Sequence, residues 1–309
     1  DLGCLAVFKY AGFFVENLNA VFGASTPVPQ IALPIGISFY TFQALSYTVD
    51  VWRGDVPAQR SFAKLLLYIS LFPQLIAGPI VKYHDIEQEI DSRRTTPQET
   101  ALGIRRFICG LSKKLLLSNA LGQMADTVFA LPAGEIGMLA GWTGAICYTL
   151  QIYFDFSGYC DMPRGIAHML GMELPVIFDS PYKASNIIEF WKRWHITLNR
   201  FLRKYVYIPL GGNRKGKART FFNLFVVWSL TALWHGANYN FLIWGGILLC
   251  CLLVEKLFLL RLLDKSRVIG HLYVLFVVPL SWVAFAVTDL SELGIYMTRL
   301  FPFAGHAAG

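Results

Sequence analysis

Apolar runs of near-spanning length recur along the chain, separated by short clusters of charge and by Pro and Gly. Runs of this length read as helices that are buried or cross a membrane. Residues 2–22 form one, interrupted by Lys9 and Glu16, and it reads as the lower part of a longer span. Residues 31–52 form a cleaner span that ends at Asp50 and Arg53. Its Pro34 and Gly36 predict a kink, which is tolerated at membrane depth only inside protein. Residues 62–81 predict a third span, with Pro73, Gly78 and Pro79 in its second half. The stretch 82–99 is the most hydrophilic and predicts a surface loop or short helix. Residues 101–130 predict a helix with two basic pairs, Arg105-Arg106 and Lys113-Lys114, whose first half lies at the interface. Residues 136–154 predict a clear span that runs straight into Asp155, Ser157, Tyr159 and Asp161.

From 162 to 186, apolar positions alternate with Pro163, Gly171, Pro175 and Pro181, which predicts a short or re-entrant segment. An amphipathic helix then starts after Ser185 or Asn186, each a suitable N-cap with Glu189 close behind. Its apolar stripe is Ile187, Ile188, Trp191, Trp194, Leu198, Phe201, Leu202 and Tyr205. Those positions recur at helical spacing. Pro209 and Gly211-Gly212 end it.

Residues 220–254 are 35 positions without Asp, Glu, Lys or Arg. As one helix they would extend roughly 52 Å, too long for a hydrocarbon core of about 30 Å. The run must therefore break or tilt, and 236–240 (Gly-Ala-Asn-Tyr-Asn), directly after His235, is the natural break. A last span covers 271–288 and contains Pro279. No fixed-period repeat is visible. The expectation is an all-α, polytopic integral membrane protein of about eight membrane-embedded helices, with interfacial and re-entrant helices besides. Residues 1–309 read as a single membrane domain, and as a fragment lacking helices at both ends.

Composition agrees. The 309 residues are 55% hydrophobic and only 15% charged, with a mean hydropathy of +0.48, whereas soluble domains carry about 25% charged residues. A soluble protein with a very large core is the alternative. Charge adds a direction: ten of the 27 Lys and Arg lie between Lys183 and Arg219, with one acid, Glu189, among them. Such a cluster could bind nucleic acid, but its Trp, Phe and Leu content suits a membrane surface. The positive-inside rule puts it on the cytoplasmic side. Six cysteines without C-x-x-C spacing read as free buried thiols. No metal-ligand pattern, phosphate loop or nucleophile elbow is present.

Two histidines carry the candidate chemistry, one near the membrane surface and one at membrane depth. His235 sits inside the charge-free run, where an ionisable group is a functional hypothesis by default. A neutral imidazole there can take a proton, and Asn238, one turn on if helical, could orient it or donate to an oxyanion. Alternatively, His235 is hydrogen-bonded between helices or lines a water cavity. His195, beside Trp194 on the basic helix, is the second candidate. Arg193, Arg200, Arg203 and Lys204 could attract an anionic, phosphate-bearing substrate, or anionic lipid headgroups. Asp155 could anchor a basic neighbour or define a polar pocket, and its spacing from Asp161 does not make an acid/base pair. Asn238, Trp194, Arg193, Arg203 and Asp155 are the substrate-binding candidates.

Five stretches in order carry a resemblance: LPIGISFYTFQALSYTVDVWRG (33–54), FPQLIAGPIVKY (72–83), QIYFDFSGYCDM (151–162), EFWKRWHITLNRFLRKYVYIPLGGNR (189–214) and LWHGANYNFLIWGG (233–246). The chain resembles the membrane-bound O-acyltransferases, in particular their bacterial branch that acetylates exported polysaccharide. The resemblance implies that His235, in Trp-His-Gly, is the catalytic histidine, and that His195, in Arg-Trp-His, is the second histidine of bacterial members. It also implies helices around a tunnel crossing the bilayer. Pro163-Arg164 departs from the small and apolar residues usual there.

The expected activity is acetyl transfer from a cytoplasmic donor, acetyl-CoA by analogy, toward an exported polysaccharide such as alginate, in the bacterial inner membrane. No tightly bound cofactor is expected. The expected partners are extracytoplasmic polysaccharide-acetylation proteins and membrane lipid, and no nucleic acid. Alternatives are D-alanyl transfer to teichoic acid, acyl transfer to peptidoglycan or cellulose, a proton-coupled transporter or flippase, and a scaffold in an export complex.

Overall fold

The computed structural model describes residues 2–75 and 78–301, and every regular element among them is helical. In chain order these are α1 (Leu2–Phe22), α2 (Ile37–Arg53), α3 (Phe62–Ser70), α4 (Phe72–Leu75), α5 (Tyr83–Ser92) and α6 (Pro97–Ser112). A π-helical turn (Lys113–Ser118) leads into α7 (Asn119–Phe129), and α8 (Met138–Met169) follows. Then come α9 (Ile187–Arg193), α10 (Ile196–Leu202), α11 (Gly216–His235), α12 (Tyr239–Val254), α13 (Leu260–Leu263), α14 (Arg267–Ala286) and α15 (Leu290–Arg299). Two compact units result. The first holds Asp1–Ile108 and Cys160–Val176, the second Cys109–Tyr159 and Ile177–Gly309.

In the first unit the expected span 62–81 is not a continuous helix. α3 stops after nine residues, about 13 Å, because Leu71 leaves helical angles ahead of Pro73; residues 76 and 77 lie outside the described ones. α2 starts at Ile37, where Gly36 takes a left-handed conformation (φ 79°) that only glycine enters freely. Tyr83 packs edge to face on Tyr47 and Tyr68 at 5.2 and 5.3 Å, and Tyr47 and Tyr68 are tilted at 6.4 Å; the Tyr68 hydroxyl donates to the Val81 carbonyl at 2.8 Å. The hydrophilic stretch 82–99 contains a short helix, α5, as the polarity allowed.

The segment 162–186 departs from expectation. Pro163 lies inside α8, which continues to Met169 and is 32 residues long, so no separate re-entrant segment begins at 162. A tight approach helps to hold its end. A Cβ on Gly165 would stand 2.6 Å from the Gly103 carbonyl oxygen, so neither glycine tolerates a larger residue without movement.

In the second unit α11 and α12 form an antiparallel pair, and α14 packs against α12. The long apolar run breaks where its length demanded. α11 ends at His235, Gly236 is extended, and α12 starts at Tyr239. Gly245 lets the pair approach closely, since a Cβ there would meet the Ala232 Cβ at 2.9 Å. Trp228, Trp244, Leu248, Val274, Val278 and Trp282 form its core.

Tyr239–Leu263 and Arg267–Ala286 are the described helical stretches long and apolar enough to cross a membrane. Their faces are turned inside out relative to a soluble fold. Phe258, Leu262, Leu272 and Leu275 are exposed, while Asn240, Glu255 and Ser281 are buried. Contiguous exposed apolar surface of this kind belongs against lipid, which disfavours the large soluble core. The cysteines, expected buried, divide: Cys147 and Cys160 are buried, but Cys4, Cys109 and Cys250 are exposed.

Candidate active site around two histidines

The amphipathic segment is two helices rather than one. α9 and α10 are seven residues each, about 10 Å, and neither crosses a membrane. α9 begins as expected: Asn186 Oδ1 accepts from the Glu189 amide at 2.7 Å, and Glu189 Oε2 accepts from the Ser185 amide at 2.9 Å. It ends because the chain turns at His195, whose φ of 44° is left-handed. Histidine is among the few residues found there with some frequency. Two backbone bonds hold the turn, Asp179 N–H to the Arg193 carbonyl at 3.0 Å and Ile196 N–H to the Ile177 carbonyl at 2.9 Å. Helical spacing alone cannot reveal such a break, since the stripe continues on either side of it.

The turn aims His195 inward. It is 4% exposed, against the Phe156 ring at 5.0 Å and the Trp234 ring at 5.7 Å. Neither ring nitrogen has a hydrogen-bond partner among the described residues. Trp234 in turn packs on His235 at 4.9 Å. One indole ring therefore touches both imidazoles. The sequence had set the histidines at different depths; the structure packs both against Trp234, a residue that sequence reasoning passed over.

His235, at the last position of α11, is walled by Trp244 (5.0 Å), Phe285 (5.1 Å) and Phe241 (6.2 Å). Gly236 permits this packing, because a Cβ there would fall 2.3 Å from the Phe241 ring. Asn238 is not one helical turn beyond His235. It is the extended N-cap residue of α12, half-buried, and its side chain makes no capping bond.

Other candidates have different surroundings. Trp194 is 4% exposed, stacked on Phe190 at 5.5 Å and packed on Phe178 and Trp282. It supports the turn beneath His195 rather than presenting a binding surface. Arg193 is held by Glu189 (3.0 Å) and Asp179 (3.1 Å), so its charge is largely compensated. Arg203 is exposed, together with Arg200, Arg214, Lys215 and Lys217, leaving a cationic surface open to an anionic ligand. Asp155 pairs with Lys114 and accepts from the Ser118 hydroxyl at 3.1 Å, anchoring a basic neighbour.

Burial pushes the His195 imidazole down to about 3. Its value in the unfolded chain is about 6.5, so between these limits the unfolded chain binds a proton that the native one excludes. Stability therefore falls as pH drops below 6.5. The melting temperature in detergent should decline between pH 7 and pH 5, and less so in His195→Asn, which tolerates the left-handed turn and does not titrate. Equal declines in both proteins would refute this account of His195.

Residues 55–290 match the membrane-bound O-acyltransferase family. The chain is 40% identical over 308 residues to the probable alginate O-acetylase AlgI of Azotobacter vinelandii, covering 98% of this chain and 61% of that protein. It is also 40% identical over 310 residues to its counterpart in Pseudomonas aeruginosa, covering 98% and 59%. The peptidoglycan O-acetyltransferase of Helicobacter pylori is 37% identical over 272 residues, covering 79% and 51%. The chain thus spans about three fifths of the length of the first two relatives. With the paired histidines, the exposed apolar helices and a match over most of its length, the chain belongs to the membrane-bound O-acyltransferase family of membrane proteins.

Proposed function

We propose that this protein transfers acetyl groups from acetyl-CoA on the cytoplasmic side toward the hydroxyls of an exported polysaccharide, alginate or a glycan like it. The observation that carries this reading is the pair of imidazoles packed against one indole, Trp234. In this mechanism His235 accepts the proton of the acceptor hydroxyl as the oxygen attacks the acetyl carbonyl carbon. The carbonyl–sulfur bond of the thioester breaks, and the thiolate leaves and takes up a proton. General-base assistance of this kind contributes typically ~10²–10⁴-fold. His195, buried and beside the same indole, supports the site. The exposed Arg200, Arg203, Arg214, Lys215 and Lys217 attract the donor's phosphates.

In this reading the protein is multi-pass, with about eight membrane-embedded helices around a tunnel, in a bacterial inner membrane. Its basic surface faces the cytoplasm, as the positive-inside rule favours. Extracytoplasmic acetylation proteins receive the acetyl group or deliver the glycan. The similarity to alginate O-acetylases supports alginate as acceptor, and the similarity to a peptidoglycan O-acetyltransferase supports a second acceptor by the same chemistry.

The test is the acetyl content, by mass, of exopolysaccharide and peptidoglycan from cells with and without the protein. Acetyl loss from exopolysaccharide alone is expected. Loss from peptidoglycan alone transfers the proposal to that acceptor, and no loss from either defeats it.

A further inference from the structure

We propose that Glu255 is a positioning residue, whose carboxylate holds the start of α9 and so sets where His195 stands beside Trp234. This rests on the reading of His195 as part of the acyl-transfer site. Glu255 is the first charged residue after the 35-residue charge-free run, and it is fully buried. Its Oε1 accepts from the Ile187 amide at 2.6 Å and its Oε2 from the Ile188 amide at 2.9 Å, across 68 and 67 positions of chain. Tyr273 of α14 lies beside the same carboxylate.

Those amides are the first two of α9, which no acceptor within the helix can serve, and they carry the positive end of its dipole. The next amide, of Glu189, is already capped locally by Asn186, and that of Phe190 donates to the Asn186 carbonyl at 2.9 Å. Burying a carboxylate at this depth is costly, and water or a local side chain would cap a seven-residue helix without it. What a distant carboxylate adds is register. A helix turns 100° per residue, so a one-residue slip of α9 would swing the chain entering the His195 turn away from Trp234. α12 is also the helix that follows the break after His235. Glu255 is its C-cap residue and opens the π-helical turn Glu255–Leu259, so this one helical stretch borders the turn beside one imidazole and, through Glu255, holds the segment bearing the other. Gly270 completes the seat. A Cβ there would lie 2.5 Å from the Ser185 carbonyl oxygen, so α14 presses directly on the residues preceding α9.

The test uses Glu255→Gln and Glu255→Ala in lipid nanodiscs. The rate of His195 carbethoxylation by diethyl pyrocarbonate is read by mass spectrometry of its peptide, alongside kcat and KM for acetyl-CoA. Wild type should protect His195. Glu255→Ala should react about tenfold faster or more and lose about 10- to 100-fold in kcat, as a misplaced catalytic group does, with KM within about twofold. Glu255→Gln keeps one accepting oxygen and should fall between. Glu255→Ala that protects His195 like wild type overturns the proposal, whether or not activity falls, and so does a wild-type kcat in that variant. If Glu255→Ala does not insert, Glu255→Gln decides: intermediate protection supports the clamp, and wild-type protection overturns it. Carbethoxylation needs no turnover, so a wild type without acetyl transfer would defeat the proposed function while the protection rates still judge the clamp.

Discussion

Replacing His235 with alanine is expected to lower acetyl transfer by about 10²–10⁴-fold, the range a positioned general base supplies. The imidazole ends α11, and its ring neighbours Trp244, Phe285 and Phe241 offer no side-chain base that could substitute. The substitution removes a half-buried side chain at a helix end and leaves the α11–α12 pair otherwise intact. Insertion and detergent monodispersity should therefore match wild type. Labelled acetyl transfer by the purified variant is the measurement, and undiminished turnover would remove His235 from the mechanism. His195→Ala should be milder, since in this reading His195 supports the Trp234 ring and does not take the hydroxyl proton.

Trp244→Ala is expected to cost about 3–5 kcal/mol, as truncation of a fully enclosed large aromatic does. Trp244 has no exposed surface and packs on Trp191 (5.7 Å), Trp228 (5.9 Å), Trp282 (5.8 Å), Phe285 (5.3 Å) and His235 (5.0 Å). Alanine would leave a void at the meeting point of α9, α11, α12 and α14, with no flexible neighbour to fill it. Trp244→Phe is the control. The indole N–H has no hydrogen-bond partner among the described residues, so a phenyl ring retains most of the contact and orphans no polar group. Its melting temperature in detergent should stay near wild type while that of Trp244→Ala falls well below. Equal melting temperatures for wild type and Trp244→Ala would show that this cluster does not hold the helices together.

Much of this was legible along the chain because the physics involved is one-dimensional. Bilayer thickness against helix rise required a break in 220–254, and Gly236 to Asn238 is where it falls. Asn186 and Glu189 marked the start of α9 because capping is a matter of near neighbours. The family is written in stretches that any fold must contain in order. Where the reading failed, the deciding contact was distant. Pro163 looked like an end, yet α8 passes through it. The stripe from Ile187 to Tyr205 looked like one helix, yet bonds from Ile177 and Asp179 fold it at His195. Arg193 looked like a free cation until Asp179, 14 positions earlier, was found beside it. Glu255 had one visible mark, as the first charge after a charge-free run, and its partners lie 67 and 68 positions away.

By itself, then, the sequence determined that this is an all-helical membrane protein of the O-acyltransferase family and singled out His235 and His195 as its candidate residues, because hydropathy, helix length and motif order are properties of the chain. Only the tertiary structure decided that one indole touches both imidazoles, that Trp194 is packing rather than surface, and that a buried carboxylate accepts from the first amides of α9. Each of those depends on residues far apart in sequence meeting in a low-dielectric interior, where a buried charge such as Glu255 is held by the amides that the fold brings to it.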